Sequence, residues 1–510
     1  MNRREFLATT AAAFTGACTC RGIQQVPERT PGFPESQLKD TPYIETTPIA
    51  GYHSAPASAY EAFQDMKFGI RIHWGIYSIW SRGAESWPFL EMSFADRQKY
   101  NDLYKTWNPV GFDAGRWMDI FAESGMKMFA FTSKHHEGFS MFDTRTRVKN
   151  RANWMAAGGP KIESCDLAYS IMETPFRRDV VKELCDAAHK RGIKIDLYFS
   201  HPDWYDADFR PYVVHPLQVP SSRILMAPVD WERTQRTYHG HPVIVPDPSD
   251  AEVAHMLRRH REQLEELLTN YGRIDMLCLD MWLGAKVWPE LRETVMKLRE
   301  LQPDVMLRNR GIGNYGDYFT PERAIPASMV GSDKPWFCIN PLGTDFSYDP
   351  KAANYKGTGW IVSTLVDTVA KGGGLMVGVG PSALGEFHPE AVRQMKAAGA
   401  WLKVNGEAIY ATRPRDGGRW AEGDTVRFTR SKDRQFVFAI LTEWPGTELA
   451  LKSVRPAERS RVTLMGSDAA LEWRFDSSRG TIISLPEKLQ SAANRPCEHA
   501  WTLKFEAANG

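Results

Sequence analysis

The chain has 510 residues, of which 43% are hydrophobic and 25% are charged, so it can bury one large core and a smaller one. Its 63 basic and 62 acidic residues leave a formal net charge of +1. This balance gives no electrostatic basis for binding nucleic acid, and we predict no nucleic-acid partner. The 17 Trp and 17 Tyr residues supply flat faces of the kind that bind sugar rings, although most are expected to pack in the core.

The first 20 residues have the pattern of a twin-arginine-like export signal. A pair of arginines precedes residues 7–17, a mildly apolar stretch that is too short to span a bilayer. Cleavage after Ala17 would release the chain, whereas the next residue, Cys18, ends a sequence that resembles a lipoprotein box with Thr15 in place of a large apolar residue. Release and a lipid anchor at Cys18 both stay open. Either outcome predicts a bacterial exported protein, periplasmic, cell-surface or secreted, with no transmembrane span in the mature chain.

The other cysteines give no sign of a disulfide framework or a zinc site. Apart from Cys18 and Cys20, they are widely spaced and odd in number, and no CxxC pair occurs among them. We therefore predict no obligatory disulfides. These five residues are Cys165, Cys185, Cys278, Cys338 and Cys497.

Apolar strand-like segments alternate with amphipathic helical segments along the chain. The predicted strands are residues 68–75, 127–132, 193–199, 274–280, 305–307 and 374–381, and the predicted helices are 111–125, 175–190 and 250–271. Thr174 and Pro175 suit the start of the second helix, and Gly192 suits its end. A Pro-rich, polar segment over residues 205–248 is predicted as a loop over the site. The alternation predicts parallel strands with right-handed crossovers.

Polar and aromatic residues follow nearly all of these strands. Functional residues at the strand ends are typical of a (β/α)8-like barrel of the TIM type, regular or irregular, whose active site lies at the carboxyl ends of the strands. A doubly wound open sheet is the alternative. It is less favoured because polar strand ends are not confined to one switch point and no GxGxxG follows the first strand.

The character of the sequence changes near residue 411. Short alternating segments separated by turn residues predict a small antiparallel β-sandwich after that point, in an α/β protein overall. The predicted organisation is an export signal over 1–20, a Pro-, Ser- and Thr-rich linker over 21–55, a catalytic barrel over 56–410 and the sandwich over 411–510.

Asp280 is the most informative of the strand-end residues. It ends an apolar segment, where a buried carboxylate is costly unless it has a function. The other strand ends and the loops beside them offer carboxylates, histidines, tryptophans and an arginine: Glu85, Glu137, Asp317, Glu322, His73, His135, His136, His201, Trp74, Trp87, Trp204, Trp282 and Arg310. Carboxylates walled by such side chains fit glycoside hydrolysis, which needs one ionised and one protonated carboxyl group.

Two other reaction classes fit the sequence less well. A serine hydrolase is disfavoured because the chain has no GxSxG segment. A metal hydrolase needs three or four convergent ligands, but His135 and His136 are adjacent and would point in different directions, and His73 has no partner in an HxH pair. We therefore predict no metal and no cofactor.

Six segments resemble, in order, motifs of the glycoside hydrolase family 29 α-L-fucosidases, over about residues 57–410. They are residues 68–75 (FGIRIHWG, against FGIFIHWG), 134–139 (KHHEGF), 275–280 (against the nucleophile strand IDxxWxD), 309–311 (against N-[DN]-R), 317–322 (against D-[FY]-x-T-x-E) and 401–410 (WLKVNGEAIY). Six motifs in this order are not expected by chance.

The resemblance implies a retaining exo-α-L-fucosidase that releases terminal α-L-fucose from a fucosylated oligosaccharide or glycoconjugate through a covalent glycosyl-enzyme. It implies that Asp280 is the nucleophile and Glu322 the acid/base. Glu137 is expected to stabilise its own turn, and Asp275 to cap or support the site. The expected substrate-binding residues, some from the resemblance and some as aromatic walls, are His73, Trp74, Glu85, Trp87, His135, His136, Trp282 and Arg310.

The chain also departs from the family motifs. Ser86 separates Glu85 from Trp87, Arg71 replaces an apolar residue, and residues 376–381 lack the Asn of the usual LLNVGP. These departures favour a divergent branch with altered leaving-group recognition or a changed sugar. Two alternatives therefore stay open beside the fucosidase. One is the same mechanism on another glycone such as an α-L-galactoside, and the other is a non-catalytic protein that binds fucosylated glycans.

Overall fold

The computed structural model describes residues 43–210, 215–217, 245–326, 333–467 and 470–508. The predicted export signal, the start of the linker and most of the predicted loop over 205–248 lie outside these ranges. Within the ranges, no helix combines the length and the apolar composition needed to cross a bilayer. The five cysteines that fall within them are free thiols.

A parallel sheet forms the centre of the larger part of the chain. Its strands and those of a small hairpin are β1 (Phe68–Ile72), β2 (Met128–Lys134), β3 (Val148–Asn153), β4 (Lys161–Leu167), β5 (Lys194–Ser200), β6 (Met276–Asp280), β7 (Met306–Leu307), β8 (Phe337–Pro341) and β9 (Gly374–Gly378). In the described residues the parallel sheet has seven strands in the order β7-β6-β5-β2-β1-β9-β8, while β3 pairs with β4 alone. The six strands predicted from the sequence are all present, with ends shifted by a few residues. Every residue of β1, β2, β6, β8 and β9 is buried, as expected for strands covered on both faces.

An extended segment, residues 317–322, closes this sheet between β7 and β8, and we call it the closing segment. On one side the backbone N–H of Asn309 donates to the carbonyl of Tyr318 at 3.2 Å. On the other side the N–H of Phe337 donates to the carbonyl of Phe319 at 3.1 Å. The predicted (β/α)8-like barrel is confirmed, and the doubly wound open sheet is wrong because both end strands pair with the same segment.

Helices join the strands and cover the sheet. They are α1 (Ala57–Met66), α2 (Tyr77–Trp80), α3 (Phe94–Asn101), α4 (Ala114–Glu123), α5 (Val180–Arg191), α6 (Asp250–Thr269), α7 (Trp288–Leu301), α8 (Thr358–Ala370) and α9 (Pro389–Asn405). Helix α6 begins with a complete capping box, in which Ser249 and Glu252 each bond the other's backbone N–H.

The start of α5 differs from the prediction at Thr174. The helix follows Asp179, whose carboxylate accepts a hydrogen bond from the N–H of Lys182 at 2.9 Å. Thr174 instead bonds the backbone of the turn that precedes the helix. At the other end Gly192 adopts φ 66° and ends the helix as predicted.

Residues 43–55, which the sequence pattern places in the linker, pack against the barrel. Ile44 is buried in the main core. The carboxylate of Glu45 accepts a hydrogen bond from the indole N–H of Trp288 at 2.7 Å. Composition alone did not indicate this docking, because the segment is as rich in Pro and Thr as a tether is.

The carboxyl-terminal part is a β-sandwich, as predicted. Its strands are β10 (Thr412–Pro414), β11 (Ala421–Glu422), β12 (Val426–Ser431), β13 (Phe436–Leu441), β14 (Glu448–Leu451), β15 (Val462–Leu464), β16 (Ala470–Leu471), β17 (Trp473–Asp476), β18 (Gly480–Ser484) and β19 (Trp501–Glu506). One antiparallel sheet has the order β10-β12-β13-β19-β15-β16, with β11 beside β12, and the other has the order β14-β18-β17. Side chains of both sheets share one apolar core.

Asp317, at the start of the closing segment, is a buried brace and not part of a pocket. Its Oδ1 accepts from the hydroxyl of Tyr60 at 2.9 Å, and its Oδ2 accepts from the N–H of Leu307 at 2.7 Å. The guanidinium of Arg299, which is also buried, forms an ion pair with it. The strand-end carboxylate Asp317 therefore holds the barrel closed.

We expect Asp317→Ala to lower the free energy of unfolding by about 3–5 kcal/mol, because it leaves the buried cation of Arg299 unpaired. Urea unfolding of both proteins measures this loss. Asp304→Ala is the matched control, since its side chain is 58% exposed and its ion pair with Arg273 is long, at 4.0 Å. The control should change stability by less than about 0.5 kcal/mol. Equal losses in the two variants would contradict the bracing role.

Candidate active site

Asp280 lies at the carboxyl end of β6, in the centre of the barrel's open end. Only 8% of the residue is exposed. The hydroxyl of Tyr198 donates to its Oδ2 at 2.7 Å, and Nη1 of Arg310 donates to its Oδ1 at 2.9 Å. Met281, the next residue, adopts a left-handed φ of 65°, a strained conformation of the kind that clusters at functional sites.

The surroundings of Asp280 keep it ionised despite its burial. Burial acts to raise the pKa of this carboxyl group, but the charges of Arg310 and Arg308 outweigh it and hold the pKa well below its usual range. The hydrogen bond from the Tyr198 hydroxyl acts in the same direction, and Nε2 of His136 lies 3.9 Å from Oδ2. An ionised, nearly dry carboxylate is competent as a nucleophile.

Glu322 lies on the closing segment and shares both arginines with Asp280. Its Oε1 is 2.8 Å from Nη2 of Arg310 and 2.9 Å from Nη2 of Arg308. Burial acts to raise the pKa of Glu322, but the two guanidiniums outweigh it and lower the pKa below its usual value. About a third of the side chain, 33%, is exposed to the cleft. Glu322 is therefore ionised at neutral pH when the site holds no substrate.

Three histidines stand beside the two carboxylates. His73 follows β1, and His135 and His136 follow β2; the rings of His73 and His135 are 5.7 Å apart and those of the adjacent pair 4.3 Å apart. Burial lowers the pKa of all three, that of His135 to about 3. They are therefore neutral at pH 7, and each ring can both donate and accept a hydrogen bond.

Glu85 and Trp87 form the next part of the wall. Glu85 is buried with a left-handed φ of 42°, and burial raises its pKa well above the usual value. The ring of Trp87 meets that of His136 edge-on at 4.9 Å. Ser86, the residue inserted between them, points inward, with its Oγ 2.5 Å from Nδ1 of His135. The insertion thus supports a histidine of the site.

Several buried polar atoms near the two carboxylates have no hydrogen-bond partner among the described residues. They include His73 Nδ1, His136 Nδ1, Glu85 Oε1 and Trp204 Nε1. Each such atom costs about 1–3 kcal/mol when it stays unpaired in a protein interior. Neutral donors and acceptors in this arrangement suit a ligand with many hydroxyl groups, which would satisfy them on binding.

Some residues predicted for the site lie elsewhere. Trp74 is a correction: it is fully buried among Trp107, Phe112 and Trp117, and its indole N–H donates to the carbonyl of Ser382 at 2.9 Å, so it belongs to the core. The strand-end rule gave its position but not the direction of its side chain.

Asp275 and Trp282, on either side of β6, have different surroundings. Asp275 lies at the opposite end of β6 and accepts hydrogen bonds from the Nζ of Lys194 at 2.9 Å and from the N–H of Ile195 at 3.0 Å. It is a structural group. Trp282 is half-buried beside the small apolar cluster that contains Phe209, two residues beyond Asp280, and its role in the wall stays a prediction.

Glu137 and His201 lie close to the pocket, and each contacts a neighbouring histidine. The Oε2 of Glu137 is 3.6 Å from Nδ1 of His135, and burial raises the pKa of this carboxyl group to about 8, so it is neutral at pH 7. His201 pairs with His260, at 2.9 Å between Nδ1 and Nε2. Glu137 thus supports His135, and His201 supports His260.

Among the described residues, one group of three has ligand atoms close enough together to hold a metal ion: Asp206, Asp208 and His255. These atoms are already engaged. His255 Nδ1 is 2.8 Å from Asp208, and its Nε2 is 3.0 Å from the carbonyl of Arg147. The guanidinium of Arg259 lies 3.2 Å from Asp206 and would repel a cation. The chemistry of this donor set does not favour a metal.

The sequence patterns did not single out Tyr198, Arg308 or Ser86 as site residues. Tyr198 lies near the end of β5 and Arg308 directly follows β7, so the signal that could have found them is their place at the carboxyl ends of strands. Ser86 carried no such signal, because it is part of an irregular turn.

The Alpha-L-fucosidase family profile matches residues 46–407, and that of the Alpha-L-fucosidase C-terminal domain matches residues 422–506. The chain belongs to the α-L-fucosidase family. It is thus a glycoside hydrolase, and the resemblance to family 29 is confirmed. The human tissue α-L-fucosidase is 26% identical over 493 residues, covering 92% of each chain. The human plasma α-L-fucosidase is 27% identical over 478 residues, covering 86% of this chain and 88% of that one.

Solved structures of α-L-fucosidases share the fold of this family member. Isoenzyme 1 from Paenibacillus thiaminolyticus has a TM-score of 0.68 at 24% identity, covering 88% of this chain and 98% of that one. A family 29 enzyme from Bacteroides thetaiotaomicron, trapped as a covalent intermediate with 2-fluoro-fucosyl fluoride, has a TM-score of 0.71 at 22% identity, covering 91% and 99%.

Gly138 lets the loop with the paired histidines approach the loop after β5. It has φ +86°, and a Cβ there would lie 2.0 Å from Oδ1 of Asp203. Asp203 cannot move away freely, because Arg259 donates to its Oδ2 at 2.7 Å. Across the same contact the N–H of Trp204 donates to the carbonyl of His136 at 2.8 Å.

We expect Gly138→Ala to lower kcat/KM for an aryl α-L-fucoside by about 10²-fold, because it displaces the histidine loop by a fraction of an ångström or more. Gly158→Ala is the matched control. Gly158 has a similar φ of +83° but no atom within 4 Å of an added Cβ. Kinetics should separate the two variants even if both lose similar stability. Equal activity in both would show that the close approach does not matter.

Proposed function

We propose that the protein is an exported, retaining exo-α-L-fucosidase that releases terminal α-L-fucose from glycans. The observation that carries the proposal is the pairing of Asp280 and Glu322 through two guanidiniums, beside buried polar atoms that have no hydrogen-bond partner among the described residues. Because a single guanidinium reaches both carboxylates, they are close together, and retaining enzymes need the closer of the two known spacings. The trapped covalent intermediate of the similar bacterial enzyme supports the same course.

In the first step the carboxylate of Asp280 attacks the anomeric carbon of fucose. The bond from that carbon to the leaving oxygen breaks, and Glu322 gives its proton to this oxygen. The product is a fucosyl ester of Asp280 with Glu322 ionised. Tyr198, which donates to Oδ2 of Asp280, holds the carboxylate in place before the attack.

In the second step water replaces the departed aglycone. Glu322 takes a proton from the water as its oxygen attacks the anomeric carbon, and the bond to Asp280 breaks. Fucose leaves with its configuration retained, and both carboxyl groups return to their starting states.

Glu322 must gain a proton when substrate binds, since the two arginines keep it ionised beforehand. The third of its side chain that is exposed would be covered by the glycan, and burial raises the pKa of a carboxyl group. The aglycone thus helps to protonate the group that releases it.

The glycone we propose is fucose, because an apolar ring lies beside one of the three histidines. The ring of Phe346 lies 5.2 Å from that of His73 and is itself buried. An apolar ring suits the C6 methyl group of fucose better than the hydroxymethyl group of an α-L-galactoside, which would lose hydrogen bonds to water. Export through residues 1–20, a linker over 21–55 whose last part packs against the barrel, a barrel over 56–410 and a sandwich over 411–510 complete the proposal.

We expect the wild-type protein to cleave an aryl α-L-fucoside faster than an aryl α-L-galactoside, and Asp280→Ala to cleave neither, because the nucleophile is lost. Aryl-group release measures both rates, and proton NMR of the first product gives its configuration. Asp304→Ala, on the exposed surface, should keep full activity. Full activity in the Asp280 variant, or binding of fucose without turnover in the wild type, would end this proposal.

Glu322→Ala should slow natural fucosides by about 10²–10⁴-fold while slowing an aryl fucoside with a good leaving group much less in the first step. A good leaving group needs little protonation, so the second step becomes limiting. Added azide, which needs no general base, should then restore turnover and give a fucosyl azide. If natural and activated substrates were slowed equally, Glu322 would not be the acid.

A further inference from the structure

Arg308 stands between the two catalytic carboxylates inside the barrel. Its Nη1 lies 3.4 Å from Oδ1 of Asp280, and its Nη2 lies 2.9 Å from Oε1 of Glu322. Only 1% of its side chain is exposed, so substrate does not displace it and water does not screen it.

Arg310 contacts the same two oxygens, at 2.9 and 2.8 Å. The two arginines are two residues apart in the chain, and the guanidiniums of both reach the carboxylates inside the barrel. The two guanidiniums and the two carboxylates therefore form a closed ring of alternating charges. Arg310 is partly exposed and lines the pocket, whereas Arg308 forms the buried side of the ring.

A second buried arginine supports Arg308 from behind. Nη1 of Arg308 lies 3.1 Å from the Sγ of Cys278, and Nη1 of Arg71 lies 3.2 Å from the same sulfur. The guanidinium of Arg71 also lies 4.4 Å from the ring centre of Tyr198, whose hydroxyl donates to Asp280. Arg71, Cys278 and Arg308, which we call the arginine cluster, thus contact Asp280 directly through Arg308 and indirectly through Tyr198.

Asp196 balances part of this charge. It is fully buried on β5, next to Tyr318, whose hydroxyl is 3.5 Å from its Oδ2. Burial raises the pKa of Asp196 to about 6, and the charges of Arg71 and Arg308 limit that rise. At neutral pH the interior therefore holds two arginine cations against one carboxylate, and the positive charge that remains faces the catalytic pair.

The cluster differs from the family motifs at two positions that contact each other. Arg71 replaces the apolar residue of FGIFIHWG, and Cys278 stands at the Trp of IDxxWxD. A tryptophan would occupy the space in which the two guanidiniums meet, whereas a small, polarisable thiol accepts from both. In this chain an arginine and a thiol thus stand where the two motifs have an apolar residue and a tryptophan.

We propose that Arg308 is a positioning residue that clamps Asp280 and Glu322 from inside the barrel, with Arg71 and Cys278 as its support. The proposal rests on the proposed function. In the first step Asp280 loses its charge as an ester forms, and Glu322 gains one as it gives up its proton. Arg308 contacts both groups, so it keeps an ionised partner before and after the step, and the site does not have to reorganise.

The clamp has a consequence for the pH dependence. The ionisable groups that face the two carboxyls are Arg71, Arg308, Arg310 and Arg323, the histidines His73, His135, His136 and His201, together with Tyr198 and Glu85. Because Arg308 lowers the pKa of both Asp280 and Glu322, its removal raises both. The acidic limb of kcat/KM follows ionisation of Asp280, and the basic limb follows loss of the proton from Glu322. Both limbs should move to higher pH.

The test is the pH profile of kcat/KM for an aryl α-L-fucoside in Arg308→Gln and Arg308→Lys. We expect Arg308→Gln to move both limbs up by about one pH unit, the effect of one cation near a carboxylate. Arg308→Lys keeps the charge and should leave the limbs near their wild-type positions, with a lower kcat because lysine cannot bridge two acceptors. Arg427→Gln removes a cation that is paired with Asp367 beside the sandwich, and is the control.

A uniform fall in kcat with both limbs unmoved would overturn the proposal, because a residue that only fills space changes rate without changing either pKa. If Arg308→Gln does not fold, Arg71→Gln decides: the limbs should move in the same direction by a smaller amount, and unmoved limbs would overturn it. A ¹³C NMR titration of labelled carboxyl groups gives the pKa of Glu322 without turnover. It keeps this test separate from failure of the proposed function, which would appear as no cleavage by the wild-type protein.

Discussion

The rest of the active site depends on the ionised state of one buried carboxylate, that of Asp280. An unpaired carboxylate in a protein interior would take up a proton, so its charge survives here only because Arg310 and Arg308 contact it and Tyr198 donates to it. None of these groups is close to Asp280 in the chain, since they come from the ends of neighbouring strands. The barrel brings them together because parallel strands all end at the same edge.

The same constraint links catalysis to the closure of the barrel. Glu322 lies on the closing segment, which has no continuous strand pairing and is held by isolated bridges, one just after β7 and two at β8 and the residue before it. Asp317 fixes the start of this segment through a buried ion pair with Arg299. The arginines then fix its far end, since both bind Oε1 of Glu322. Glu322, the proposed acid/base, therefore has its position set by the element that closes the barrel.

Most of the barrel and the position of Asp280, the proposed nucleophile, could be predicted from the sequence, because buried parallel strands are continuous apolar runs and a charge at their end is conspicuous. The closing segment could not, since its residues have no strand periodicity and its pairing depends on two distant strands. The direction in which a strand-end side chain points was the other feature that the sequence did not predict. Trp74 and His73 are adjacent strand-end residues, yet one packs in the core and the other faces the carboxylates. Only the twist and neighbours of a strand decide which side chain points inward.

The site contains both charged arginines and neutral histidines, and the two kinds of group have different tasks. Groups that hold Asp280 ionised are permanent cations, whereas the groups that would hold hydroxyls, His73, His135 and His136, are neutral because burial lowers their pKa. Three more positive charges would weaken Asp280 as the proposed nucleophile by stabilising its free carboxylate further. Neutral rings avoid this while they still donate and accept. The departure at Arg71 adds positive charge only beneath the carboxylates, where it can position them without touching the sugar.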